Sequence, residues 1–206
     1  MVNITVSGKN EGGFKGLETG IYNARCDLIA DLGMQETNFG NKHKLYIRFA
    51  VPDQEMEDKD GNKFQMSIGT TLTASLSKKA NLRKMLESWR GKPFSEEELE
   101  GFELTKLLDA PATLVVGSYL KDGEERAKLD NVIKCKSQVG ALIRTPVAFS
   151  TESSPQELEE APQWIREKIE EQQQANGHPA GEAERQNGAA HQAAEDDAWG
   201  DQDIPF

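Results

Sequence analysis

The chain has 206 residues, 36% hydrophobic and 29% charged, with a formal net charge of −11, enough for one ordinary domain plus extensions. No stretch approaches the roughly 20 apolar residues of a membrane span, and the first residues lack the basic and apolar regions of a secretory signal. Cys26 and Cys135 are the only cysteines, a pattern that fits free thiols in a reducing compartment. Charge is unevenly spread: residues 1–150 hold 21 basic and 21 acidic side chains, whereas residues 151–206 hold 3 and 14. The whole net charge therefore belongs to an acidic tail, and the pI of about 4.9 says nothing against a polyanionic partner for the rest.

Residues 1–19 are weakly patterned and read as an arm or edge strand. Alternation over residues 21–32 predicts a first strand with Tyr22, Ala24, Cys26, Leu28 and Ala30 on one side. A turn-rich stretch, 33–41, leads to a second strand over about 42–51. A polar loop over 52–62, with the Asp60-Gly61 turn signal, precedes a third strand over about 63–74. The period then changes. Leu76, Ala80, Leu82, Met85, Leu86 and Trp89 recur at helical spacing, with Ser75 or Ser77 as N-cap and Gly91 and Pro93 just past the end. At that position Trp89 is expected in the core. Ser95 and Glu98 form a capping-box pattern for a second short helix. Two further strands follow at about 112–120 and 126–136, joined by the Lys121-Asp122-Gly123 hairpin signal. Residues 137–154 read as linker, and 155–174 as a charged helix whose few apolar positions are Leu158, Trp164, Ile165 and Ile169. From Ala175 onward the composition cannot bury a core and predicts disorder.

Three strands, a helical insert and two more strands is the element order of the OB-fold, a five-stranded, partly open Greek-key barrel. The expected fold class is thus mainly β. Residues 20–140 form the barrel, 141–174 a linker with a charged helix, and 175–206 a disordered acidic tail.

The second predicted strand carries the binding argument. Leu45, Ile47, Phe49 and Val51 alternate with Lys42, Lys44, Tyr46 and Arg48, so one face suits a core and the other presents three cations around an aromatic ring. Cations can track phosphates while an aromatic ring stacks an unpaired base, at about 1–3 kcal/mol per base and with little sequence preference. In OB-folds the ligand surface involves strands 2 and 3 and the loops joining strands 1–2 and 4–5. On that basis Phe39, Lys63, Gln65, Tyr119 and Lys121 join the expected DNA-binding set. Lys128, Lys134 and Lys136, which share one face of an uninterrupted fifth strand, complete it.

The chain ends Asp201-Gln202-Asp203-Ile204-Pro205-Phe206. Acids followed by Ile-Pro-Phe resemble the tail tip of bacterial single-stranded DNA-binding proteins, which docks on replication, recombination and repair proteins. Here Phe206 offers a buriable ring, Pro205 limits the entropy lost on docking, and Asp201 and Asp203 attract a basic rim. Residues 20–24, GIYNA, 32–35, LGMQ, and 82–94, LRKMLESWRGKPF, are similar to phage-encoded single-stranded DNA-binding proteins. The resemblance implies an OB-fold protein that protects unwound DNA, works in the cytoplasm of a bacterial host, and recruits partners through Asp201, Asp203, Ile204, Pro205 and Phe206. The sequence lacks the bacterial family's first-strand motif and has a long insert after strand 3, which puts the bacterial homotetramer in doubt.

Enzymatic signals are poor. There is no P-loop or dinucleotide fingerprint, and His43, His178 and His191 lack metal-ligand spacing. The acidic loop Asp53, Glu55, Glu57, Asp58, Asp60 does not follow an EF-hand, and Asp27 and Asp31 lack a third carboxylate for a two-metal nuclease. No cofactor, metal or catalytic activity is expected. Two alternatives stay open: a recombination mediator that anneals strands, and a protein-interaction adaptor that binds no DNA.

Overall fold

The computed structural model describes residues 16–57 and 61–177. They form a mainly β structure. Five strands lie in the order β3-β2-β1-β4-β5, with β1 at Gly20–Thr37, β2 at Gly40–Glu57, β3 at Lys63–Thr73, β4 at Pro111–Lys121 and β5 at Glu124–Lys134. All four pairings among them are antiparallel. A sixth strand, β6 at Val147–Phe149, runs parallel to β1. Helices α1 (Asn81–Arg90) and α2 (Glu96–Glu100) and a 3-10 turn (Leu104–Leu107) connect β3 to β4. Helices α3 (Pro155–Leu158) and α4 (Gln163–Gly177) follow β6.

The elements predicted through residue 136 are present, with shifted ends. Helix α1 starts at Asn81, capped by neither serine; its N-cap is Ala80, without a side-chain bond. It ends as expected at Gly91, whose φ of 68° closes the helix in the left-handed region that costs glycine no Cβ clash. Ser95 and Glu98 make the reciprocal capping box. Between β4 and β5, Asp122 and Gly123 both have positive φ, 54° and 84°, the geometry of a tight two-residue hairpin turn.

Two cores flank the sheet. The first holds Ala24, Cys26 and Ile29 of β1, Leu45, Ile47, Phe49 and Val51 of β2, Leu114 and Val116 of β4, and Leu82, Met85, Leu86 and Trp89 of α1. Trp89 lies edge-on to Phe49, centroids 5.0 Å apart, and its indole N–H donates to the Pro111 carbonyl at 2.9 Å. The expectation that Trp89 is core therefore holds.

The second core lies on the opposite face: Leu28, Ala30 and Leu32 of β1, Tyr46 of β2, and Phe149, Leu158, Ala161, Ile165 and Ile169. A shift of register between Cys26 and Leu28 creates it. One extra residue, Asp27, reverses the alternation of β1. Leu28 and Ala30 consequently face away from Ala24 and Cys26, not with them as strict alternation predicts. Residues 141–174, expected as linker with a charged helix, contain β6 and most of a strap that packs on this face. Its four anticipated apolar residues are what it uses to do so: Leu158, Ile165 and Ile169 are buried, and Trp164 packs beside them. Glu157 and Ser154 cap α3 reciprocally, and the Gln173 amide donates to the carbonyls of Thr151 and Ser153 at 3.1 and 2.9 Å.

Candidate nucleic-acid interface

The outer face of β2 does not present a cation–aromatic platform. Tyr46 is buried, edge-on to Trp164 at 4.7 Å. Its ring lies across Gly69 on the neighbouring strand, where any Cβ would collide with the phenol. Burial pushes the Tyr46 phenol up to about 12. Arg48 donates to Asp27 through Nε at 3.2 and 3.1 Å and through Nη2 at 2.7 Å. Asp27, the bulge residue, is thus the anion that partners Arg48. The strand-parity reasoning for β2 is correct, and its alternate face is indeed distinct from the first core. That face is covered because the strap contributes a second apolar layer. Leu158, Ile165 and Ile169 are fully buried, each worth about 1.5–3 kcal/mol. Lifting the strap therefore costs more than one base stack of about 1–3 kcal/mol returns.

The remaining expected residues are scattered more widely than a single strand face. Lys42 is exposed, and Lys44 donates to the Thr73 hydroxyl at 3.1 Å. Lys63 is exposed at the start of β3, opposite Glu57. Both ends of the Gln65 amide are engaged, donating to the Ala141 carbonyl at 2.9 Å and accepting from the Ile143 N–H at 3.1 Å. It pins the segment leading to the strap. Lys128 and Lys134 do not share a face. A register shift in the β4–β5 ladder between Val115 and Val116 separates them: Lys128 lies opposite Gly117, while Lys134 pairs with buried Ala112 and runs its aliphatic stem over Gly91. Lys136 is exposed just beyond β5. Asp201, Asp203, Ile204, Pro205 and Phe206 lie outside the described residues.

Two hairpin ends keep accessible aromatics. Phe39, at the tip between β1 and β2, is 75% exposed. The turn that presents it is fixed by Thr37, whose hydroxyl accepts from the Phe39 N–H at 3.2 Å and donates to the Gly40 carbonyl at 2.6 Å. Tyr119, on β4, is partly exposed and lies directly opposite Arg126 on β5, with the Lys121–Glu124 and Gly117–Lys128 pairs on alternate rungs either side. Arg126 was not among the expected site residues. Its position follows from the turn: if Asp122-Gly123 is a two-residue loop, Lys121 faces Glu124 and Tyr119 faces Arg126.

Two other chemical readings find no support. The Cys26 thiol is buried and its pKa is raised by that burial, so it suits packing, not nucleophilic chemistry. Among the described residues no group of three His, Cys, Asp or Glu side chains could hold a metal ion. No helix among them is long and apolar enough to cross a membrane. No protein-family model matches the chain, and no curated protein matches it.

Proposed function

We propose that this chain binds single-stranded DNA without strong base preference, through a barrel of OB type. The strand order β3-β2-β1-β4-β5, the helices between β3 and β4, and the contact of β3 with β5 support such a barrel. The observation that carries the function is Phe39. A phenylalanine three-quarters exposed at a hairpin tip, with Lys42 and Lys44 following it on β2, contributes nothing to a core and offers a stacking face beside cations. Tyr119 and Lys121 repeat the combination at the β4–β5 end. The acidic residues 196–206 serve, in this reading, to recruit replication, recombination or repair proteins of a bacterial host. The resemblance of the body to phage single-stranded DNA-binding proteins supports the first half, and that of the tail tip to bacterial ones supports the second.

Fluorescence anisotropy with an oligo-dT strand and a duplex of equal length, in a salt series, tests the proposal. The single strand should bind more tightly, with a log–log salt slope of about −0.7 per phosphate neutralised. Equal or tighter duplex binding would refute it.

A further inference from the structure

The outer face of β4, β5 and the start of β1 is not covered by the strap, whose parallel strand and buried side chains meet β1 and β2 from Leu28 onward. Register places its residues in rungs. From the hairpin turn inward these are Lys121 with Glu124, Tyr119 with Arg126, Gly117 with Lys128, Ile21 with Val115 and Asn131, and Asn23 with Thr113 and Ile133. Nine residues of β4, Lys121 back to Thr113, span about 27 Å over steps of about 3.4 Å. The turn end holds three cations, Lys121, Arg126 and Lys128, and the Tyr119 ring. The far end is neutral, with Ile21 74% and Ile133 38% exposed and Asn23 held by the Thr113 hydroxyl at 3.0 Å. Ile21, three-quarters exposed on a sheet face, gains little from the fold itself.

We infer that this face is the track along which single-stranded nucleic acid lies, bases against Tyr119, Val115 and Ile21 and phosphates against Lys121, Arg126 and Lys128. The inference rests on the DNA-binding reading and adds a β4–β5 contact surface to the Phe39 hairpin. Three carboxylates oppose it: Asp122 in the turn, Glu124 and Asp130. Glu124 is 3.8 Å from Arg126, and Asp130 is 3.0 Å from Lys128 with its carboxylate lying over Gly117. Such exposed pairs are weak, so a phosphate can take the cation from either acid. Asp130 is the extra residue of the β5 bulge and sits midway along the track, where it repels an incoming strand.

Three variants, Ile21→Glu, Arg126→Ala and Asp130→Asn, test the track by anisotropy on oligo-dT, with sedimentation to follow mass. Ile21 and Arg126 are exposed or half-exposed, so the variants fold. Ile21→Glu and Arg126→Ala should each weaken binding roughly tenfold, and Arg126→Ala should flatten the salt slope by about 0.7. Asp130→Asn should tighten binding several-fold, a direction that a purely structural role does not produce. If the wild type binds single strands and all three variants match it, the track is wrong while the function stands. If the wild type shows no preference for single strands, both fail. A fall in sedimenting mass on Ile21→Glu would identify the face as an interface between copies and overturn the inference.

Discussion

Tyr46 separates the face expected from alternation from the face observed. Its phenol is pushed up to about 12 by burial, from an ordinary value near 10. The neutral form is therefore favoured in the folded state. The stability this contributes is fully present below pH 10 and is lost as pH rises towards 12. Two tenfold changes in proton affinity make the loss roughly 2–3 kcal/mol once the pH has passed through 12. Other groups also titrate there, so the comparison is with Tyr46→Phe, which keeps the ring against Trp164 and removes the ionisation. Urea unfolding of both proteins from pH 8 to pH 11.5 should give a constant stability difference up to about pH 9.5, then a drift against the wild type. The difference between their phenolate absorbance titrations should rise near pH 12. A flat stability difference, or a phenol that ionises near pH 10, would mean water reaches Tyr46 and the strap does not seal β2. In that case Tyr46 returns as a base-stacking residue.

The other substitutions sort core from interface. Trp89→Ala should cost about 3–5 kcal/mol, read as a fall in melting temperature of roughly 6–20 °C for a domain of this size; an unchanged melting temperature with lost DNA binding would move Trp89 to the interface. Phe39→Ala should leave melting within about 1–2 °C, because the ring is exposed, and weaken oligo-dT binding by about 1–3 kcal/mol, roughly 5- to 150-fold; unchanged affinity would remove the observation on which the function rests. Deleting residues 196–206 should raise DNA affinity modestly at low salt, where a tethered acidic segment competes best. Phe206→Ala should leave DNA affinity unaltered and abolish capture of a replication or repair partner; retained capture in a pull-down would refute the division between acids and apolar tip.

Local chemistry made most of the sheet legible. Core alternation on β2, the left-handed stop at Gly91, the Ser95–Glu98 box and the Asp122-Gly123 turn are each decided by a few adjacent residues. The strap was not legible as a layer, because its apolar positions are few and its charge is high. Only the unexpectedly apolar second face of β1 says that something must cover it, and that face is hidden by the bulge at Asp27. A bulge adds one residue and inverts every later side chain, so counting by twos from Tyr22 assigns Leu28 and Ala30 to the wrong core. The same error puts Lys128 and Lys134 on one face, whereas the irregularity in the β4–β5 ladder separates them. Conversely, Phe39 was legible as a loop aromatic, and Arg126 becomes so once the turn fixes the register.

The parallel contact between β6 and β1 has a consequence for how the chain reaches its native state. It joins Leu28 to Val147, across about 120 residues of sequence, so it carries a high closure entropy and belongs among the last pairings to form. Until then β1 has an unpaired edge at 28–30 beside the apolar strip of Leu28, Ala30, Leu32 and Tyr46. A polypeptide cut at residue 140, where composition alone would end the domain, is left permanently in that condition. An open strand edge next to a greasy face is a template for intermolecular pairing, so the shorter protein should precipitate on expression while one ending at residue 177 stays in solution.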